Sequence, residues 1–171
     1  MVFTVFFILP RSVFTRPLMG EGIFPEKAVS FIKNEALPPN VYHPYEWGGY
    51  LIWKLYPEYK TFVDGRGIGP IEEHKAVLYA EPWWSRTLER RNINTVAYWP
   101  LLPYTGRVPP IMFALLKDDG WAPVYWDLQS VVFVRSQTAK KPIRKETVYE
   151  LLTSMVQMNI LNDPSRAGNY T

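Results

Sequence analysis

Two neighbouring stretches decide how this chain folds, namely Tyr45-Glu46-Trp47-Gly48-Gly49-Tyr50-Leu51 and Thr61-Phe62-Val63-Asp64-Gly65-Arg66. The first predicts a helix over roughly residues 46–56, because its large apolar residues recur on one face. That face consists of Trp47, Tyr50, Leu51 and Leu55. Two glycines early in the helix lower its propensity by about 1 kcal/mol each, so we expect a neighbouring backbone, ring or ligand to pack closely there. The second stretch predicts a buried strand at 60–63 that ends in a loop carrying Asp64 and Arg66.

Helical and extended patterns alternate along the rest of the chain. Helices are predicted from Pro25 to Pro38, over 46–56, over 71–91 with an interruption at Pro82, from Pro109 to Gly120, and over 143–158. Strands are predicted at 41–43, 60–63, 94–99, 121–126 and 130–135, the last two as a hairpin. This alternation is typical of parallel strands joined by crossover helices, with the hairpin adding an antiparallel edge.

The element order predicts an α/β fold: a three-layer, Rossmann-like domain with a mostly parallel sheet and a C-terminal antiparallel hairpin at its edge. The glycine-rich phosphate signature of dinucleotide folds is missing, since His43-Pro44-Tyr45 stands where it would occur. We divide the chain into an apolar stub and irregular lead-in at 1–23, the α/β domain at 24–136, and a linker with a C-terminal helix at 137–171. The apolar run at 2–9 is shorter than the roughly 20 residues of a membrane span, and we interpret it as a strand or the stub of a membrane helix.

The bulk composition bounds the classes of function. A chain of 171 residues fits one domain, and its net charge of +3 predicts no particular partner. The basic patch at 140–145 is more typical of a solvated linker than of a nucleic-acid site, so no nucleic-acid partner is expected. The lack of cysteine excludes disulfides, zinc–thiolate sites and a cysteine nucleophile. Aromatic residues form 16% of the chain, and each is more typical of a core built from large residues, but their clustering favours at least one exposed aromatic surface.

Polar and aromatic side chains follow the ends of the predicted strands. Because ligands of open α/β sheets bind at the carboxyl ends of the strands, we expect the loops there to form one crevice. Its candidate ligand-binding residues are His43, Tyr45, Glu46, Asp64, Arg66 and Trp99. The alternative is structural: Asp64 and Arg66 pair with each other or cap helices, and Glu46 stabilises a helix N-terminus. The histidines and carboxylates match no metal-binding spacing, so we expect neither a metal nor a cofactor.

Four segments carry a family resemblance, at 24–32, 45–53, 62–66 and 120–135. Together they resemble the C-terminal soluble domain of multi-pass bacterial membrane proteins, usually described as uncharacterised or as glycosyltransferase-like and related to lipid-linked-sugar mannosyltransferases. The resemblance covers roughly residues 24–135. It implies a domain outside the cytoplasm, attached to the membrane helices of a parent protein whose membrane portion holds the catalytic carboxylates. This chain departs from the pattern by lacking that portion, so the resemblance implies no catalytic residue here.

Three functions from different classes are consistent with these observations. The resemblance and the predicted crevice favour a non-catalytic, extracytoplasmic accessory domain that binds or positions a glycan, an acceptor or a protein partner. A stand-alone soluble enzyme is the second possibility, and it requires Glu46 and Asp64 to face each other in an open pocket with at least one raised pKa. The third is a structural or oligomerisation module, which an exposed apolar patch at 2–9 or on the last helix would support.

Overall fold

Six α-helices and four strands make up the part of the chain that the computed structural model describes, residues 24–66 and 69–163. The helices are α1 (Glu26–Asn34), α2 (Gly48–Leu55), α3 (Ile71–Leu78), α4 (Trp84–Arg90), α5 (Pro110–Lys117) and α6 (Lys145–Asn162). The strands are β1 (Val41–Tyr42), β2 (Thr95–Tyr98), β3 (Trp121–Trp126) and β4 (Val131–Arg135). Short 3₁₀ turns at Tyr45–Trp47 and Ser136–Thr138 precede α2 and follow β4.

The four strands form one open sheet in the order β1-β2-β4-β3. β1 runs parallel to β2, whereas β2 with β4 and β4 with β3 are antiparallel pairs. The predicted mixed α/β class is confirmed, and so is the hairpin at one edge of the sheet. The prediction of a mostly parallel sheet is wrong, because only one of the three strand pairs is parallel.

The missing parallel strand is the one predicted at 60–63. This segment makes a single parallel bridge, between Thr61 and Val41, with the Val41 N–H donating to the Lys60 carbonyl at 2.9 Å. The next backbone donor, the N–H of Phe62, donates to Nε2 of His43 at 3.1 Å. The His43 side chain therefore binds the backbone N–H that would otherwise donate to β1, and the pairing of the two segments ends after one bridge.

Helices cover both faces of the sheet. The alternation of side chains along β2 sends Val96 and Tyr98 to one face and Ala97 to the other. The Ala97 face packs on α1 and α2, and the opposite face packs on α3, α4, α5 and α6. The core on the α1–α2 side includes Ala28, Val29, Ile32, Val41, Trp47, Leu51, Leu55 and Val132. These two clusters hold the loops at the ends of β1 and β2 in place.

Helix starts agree with the prolines that predicted them, whereas α1 and α5 end at Asn34 and Lys117, before the predicted ends at Pro38 and Gly120. α1 begins directly after Pro25, α5 begins at Pro110, and the 71–91 region divides around Pro82 into α3 and α4. α6 extends to Asn162, four residues past its predicted end, and its Val148 and Leu152 are buried in the core. Among the described residues, no helix is both long enough and apolar enough to cross a membrane. The apolar run at 2–9 lies outside the described residues.

Candidate functional site

The carboxyl ends of β1 and β2 form the candidate site. The two strands are parallel, so His43 after β1 and Trp99 after β2 emerge at the same edge of the sheet. Trp99 packs edge-on against Trp47, with ring centroids 5.3 Å apart. The 61–66 segment crosses the start of α2 beside them and brings Asp64 to this edge. The six predicted site residues, His43, Tyr45, Glu46, Asp64, Arg66 and Trp99, therefore surround one region, although their accessibility differs.

Asp64 and Arg66 are bound to each other. The Arg66 Nε and backbone N–H both donate to Oδ1 of Asp64 at 2.9 Å, and its Nη2 donates to Oδ2 at 2.7 Å. The Asp64 side chain is 9% exposed, whereas that of Arg66 is 67% exposed. The hydrogen bonds from the Arg66 side chain lower the pKa of Asp64 to about 2. The structural alternative for this pair, that the two residues bind each other, is what the geometry shows.

His43 is fully buried and faces the backbone with both ring nitrogens. Its Nε2 accepts from the Phe62 N–H, so the proton of the neutral ring sits on Nδ1, which donates to the Pro44 carbonyl at 2.8 Å. Burial lowers the pKa of His43 to about 4. His43 has no surface for a ligand to contact, and its role at this edge is to hold the 61–66 segment beside β1.

A chain of buried polar groups continues from His43 into the core. The Nε2–H of His74 donates to the His43 carbonyl at 3.0 Å, and the Tyr42 hydroxyl donates to the His74 carbonyl at 2.9 Å. The rings of Tyr98 and Tyr42 stack with their centroids 5.7 Å apart. Burial, and after it the charge of Glu46, raises the pKa of Tyr98. These residues tie β1, β2 and α3 together and offer no group to solvent.

The two glycines of α2 face different surroundings. A β-carbon on Gly48 would overlap the Val63 carbonyl oxygen and lie 2.6 Å from the Asp64 Cα. The close neighbour expected at this glycine pair is therefore the backbone at 63–64. Among residues 24–66 and 69–163, nothing lies within 4 Å of a β-carbon placed on Gly49, which is exposed on the outer surface of the helix.

Aromatic rings are exposed on the outer surface of α2. Trp53 is 73% exposed, and the Lys54 Nζ lies 3.9 Å from the centroid of its ring. Tyr50 stacks on Phe24 at 4.6 Å, and Tyr56 is also exposed. Trp53 is not among the six residues predicted from the strand ends. The pattern that could have revealed it is its position off the apolar face of α2, where a large aromatic residue is not needed for the core.

The region presents charged groups and several rings. Charged residues at or beside α2 include the exposed Glu46, Arg66 and Lys33 and the half-buried Lys54, whose carbonyl accepts from the Lys33 Nζ at 3.3 Å. Tyr45 is exposed as well, and Trp99 is half-buried. Across residues 24–66 and 69–163, no three histidine, aspartate or glutamate side chains stand close enough to hold a metal ion. The arrangement suits hydrogen bonding and ring stacking rather than proton transfer, because Asp64 is already ionised and bound.

Comparison of the chain with known proteins found no relative. No family model matches the chain, and no curated protein or solved structure matches it either. The family resemblance of residues 24–135 thus stays a prediction.

Proposed function

We propose that this chain is a non-catalytic accessory domain of a membrane-bound, glycosyltransferase-like protein, that it acts outside the cytoplasm, and that it binds a glycan with the outer surface of α2. The sequence resemblance of residues 24–135 and the chemistry of that surface support the proposal. A Rossmann-like, three-layer fold is part of it, supported by helices on both faces of the sheet and by the parallel β1–β2 pair. An acceptor, a protein partner or the parent membrane helices are the other partners that this surface would suit.

The exposed indole of Trp53 is the observation that carries the proposal. Long side chains on a helix lean toward its N-terminus, which directs Trp53 toward the turn that contains Gly49. The Trp53 indole meets the Tyr50 ring edge-on with centroids 6.2 Å apart, and among the described residues nothing lies within 4 Å of a β-carbon on Gly49, one turn earlier in the helix. A flat, largely exposed apolar ring beside the charge of Lys54 is suited to stacking on a sugar ring while its hydroxyls are hydrogen-bonded.

The geometry favours binding over acid–base catalysis. An acid–base pair needs a carboxyl group whose pKa lies near the working pH, and therefore above its usual value. The pKa of Asp64 is instead lowered to about 2, and both of its oxygens accept hydrogen bonds from Arg66. Asp64 is thus neither a proton donor nor a free base at neutral pH, which removes one member of the Glu46–Asp64 pair that the enzyme alternative requires.

The test is binding of the full chain to an array of mannose-containing and bacterial oligosaccharides, followed by an NMR titration with the strongest ligand. We expect saturable shifts of the backbone amides of residues 45–54. Trp53→Ala should weaken binding by about tenfold or more, since aromatic anchors dominate such surfaces. Trp83→Ala is the matched control: Trp83 is 52% exposed but lies at the start of α4 on the other side of the sheet, and its loss should leave affinity unchanged.

Two outcomes would overturn glycan binding. One is the lack of any saturable ligand on the array, and the other is equal affinity in the Trp53→Ala and Trp83→Ala variants. Binding to vesicles or to membrane-helix fragments that is lost only in Trp53→Ala would assign the surface to the membrane side of the parent protein instead.

An oligomerisation role has one specific observation in its favour. The last turns of α6 carry Leu161, which is 79% exposed, and the half-buried Ile160. An apolar strip on a helix that is only half covered is a common self-association surface. Sedimentation velocity at high protein concentration tests this: a wild-type dimer that Leu161→Glu converts to a monomer supports it, and a monomeric wild type rejects it.

A further inference from the structure

A polar cavity of about 510 Å³ lies at the end of the sheet opposite the candidate site. It sits where β2 and β3 begin and β4 ends, so it is far along the strands from Trp99 and His43. Its lining residues are Glu89, Asn92, Asn94, Gly120, Arg135, Ser136 and Gln137. This volume falls within the range of about 300–1,000 Å³ that small-molecule sites occupy. Every lining residue except Gly120 carries a polar or charged side chain, which indicates a polar ligand.

Arg135 is the organising residue of this cavity. It is the cross-strand neighbour of Trp121, and its guanidinium carbon lies 4.3 Å from the centre of the buried indole ring. This stacking holds the guanidinium plane in one orientation before any ligand arrives. Throughout 24–66 and 69–163, no carboxylate forms an ion pair with Arg135, unlike Arg66, Arg90 and Arg91. Its planar fork of N–H donors is therefore left for a partner outside the chain.

Amide and hydroxyl groups complete the lining. Asn92 and Asn94 come from the turn before β2, where Asn92 adopts a left-handed conformation with a φ of 52°. Ser136 and Gln137 come from the 3₁₀ turn after β4. The Ser136 hydroxyl donates to the Asp119 carbonyl at 2.6 Å and can accept from a ligand, whereas the Gln137 amide can donate and accept. Glu89 on α4 supplies the single carboxylate. Such a set matches a molecule with several hydroxyl groups.

We propose that this cavity binds a small polyhydroxylated oxyanion, a sugar acid or a sugar phosphate, with its carboxylate or phosphate seated on Arg135. The guanidinium fork fits both oxyanions with two parallel hydrogen bonds. The asparagine, serine and glutamine side chains bind hydroxyl groups, and Glu89 accepts from a hydroxyl at the far side. The site is independent of the glycan-binding surface on α2, because the two lie at opposite ends of the sheet and share no residue.

The experiment is an NMR titration of the full chain at constant ionic strength with four probes: glucuronate, glucose 6-phosphate, inorganic phosphate and glucose. We expect saturable shifts at the amides of Asn92, Asn94, Ser136 and Gln137. The Trp121 indole N–H is a further reporter, because it is buried without a hydrogen-bond partner in the described structure. Saturation by glucuronate alone identifies the carboxylate form, and saturation by the phosphates alone identifies the phosphate form. Glucose should bind at least tenfold more weakly than the anionic sugar that saturates.

Two variants at Arg135 separate binding from folding. Arg135→Gln removes the charge and should weaken the saturating probe by about tenfold or more, as expected for lost charge-assisted hydrogen bonds. Arg135→Lys retains a positive charge beside the Trp121 ring but lacks the planar fork, so its loss of affinity should be smaller than that of Arg135→Gln. It also serves as the test if Arg135→Gln does not fold. Arg107→Gln is the matched control, since Arg107 is an exposed arginine in the loop after β2, at the other end of the sheet. Its affinity should stay within about twofold of wild type.

Three results would overturn the proposal. The first is that none of the three anions saturates the protein. The second is that glucose and glucuronate bind with equal affinity while neither phosphate binds. The third is that both Arg135 variants bind with wild-type affinity. Failure of glycan binding at α2 would not affect this outcome, because the shifted amides differ between the two sites.

Discussion

Gly48 and Asp64 are in direct backbone contact at the start of α2. A β-carbon on residue 48 would lie 2.6 Å from the Asp64 Cα and would overlap the carbonyl oxygen of Val63. Only a residue without a side chain lets the 61–66 segment cross the helix at this distance. The contact therefore sets the position of Asp64, and with it that of Arg66, relative to the exposed face of α2.

The Gly48–Asp64 contact predicts opposite effects for two neighbouring substitutions. Gly48→Ala should lower the free energy of unfolding by about 1–3 kcal/mol, because the methyl group displaces backbone atoms rather than a flexible side chain. Gly49→Ala should raise it by about 0.5–1 kcal/mol, because alanine is the better helix former and its methyl group meets open space. Urea unfolding of both variants measures the difference. Equal stabilities would mean that the 61–66 segment moves off the helix at little cost.

The buried histidine predicts a pH dependence of stability. Above about pH 6.5 His43 is neutral in both folded and unfolded chains and contributes no dependence. Below that pH the unfolded chain takes up a proton that the folded chain refuses until about pH 4, so stability falls as the pH falls. The slope from His43 is about 1.4 kcal/mol per pH unit in this window, and His74 adds to it in the same direction because its pKa is also lowered.

Urea unfolding at pH 7, 6 and 5 measures this slope before most carboxylates titrate. The chain has only two histidines, so ¹⁵N spectra of the imidazoles report both directly. They should show a neutral ring with its proton on Nδ1 for His43 at pH 5.5. A stability that is flat over this range, or a charged His43 at pH 5.5, would contradict the burial of its ring.

The buried tyrosine pair predicts that the loss of a single hydroxyl group lowers the free energy of unfolding. Tyr42→Phe removes the hydroxyl that donates to the His74 carbonyl, leaving that buried carbonyl without this hydrogen bond. We expect the free energy of unfolding to fall by about 1–3 kcal/mol. Tyr104→Phe is the control, because Tyr104 is 80% exposed and its hydroxyl is hydrated. An equal effect in the two variants would show that the Tyr42–His74 bond contributes nothing net.

The pairing of Asp64 with Arg66 predicts a shifted carboxyl titration. A ¹³C NMR titration of the Asp64 carboxyl should give a pKa of about 2 in the wild type. Arg66→Gln should raise that pKa toward the ordinary value of 3.8, because the guanidinium hydrogen bonds are its main cause. Arg107→Gln should leave it unchanged. A wild-type pKa near 3.8 would show that the exposed Arg66 side chain does not hold the pair in solution.

Much of the fold follows from local patterns. Prolines at the starts of α1 and α5 and the alternation on both sides of Asp127–Gln129 predict those elements correctly, because helix initiation and turn formation depend on residues close in sequence. The error at 60–63 has a different origin. Phe62 and Val63 are buried as an apolar strand would be, but the Phe62 N–H is taken by His43, nineteen positions away in the chain. No local pattern contains that hydrogen bond.

The candidate site likewise combines features that local sequence patterns predict with features that depend on distant contacts. The sequence predicted that His43, Asp64 and Trp99 lie at one end of the sheet, and the parallel pairing of β1 with β2 brings His43 and Trp99 out at that end. It could not distinguish His43, fully buried, from Trp53, which is largely exposed. Burial is decided by which elements pack together, and the helical pattern of Trp47, Leu51 and Leu55 indicates an inward face without saying what covers the outward one.

The sequence by itself determined the order of the main elements, apart from the strand predicted at 60–63, and a close backbone approach at the glycine pair, which the structure has at Gly48. Only the tertiary structure decided that the sheet is mostly antiparallel, that Asp64 binds Arg66, and that the Arg135 guanidinium, which lies over the ring of Trp121, lines a cavity. The physical reason is the distance along the chain over which each kind of interaction acts. Backbone preferences and side-chain periodicity act over a few residues, whereas pairing, burial and the sharing of hydrogen bonds depend on residues that folding brings together from distant parts of the chain.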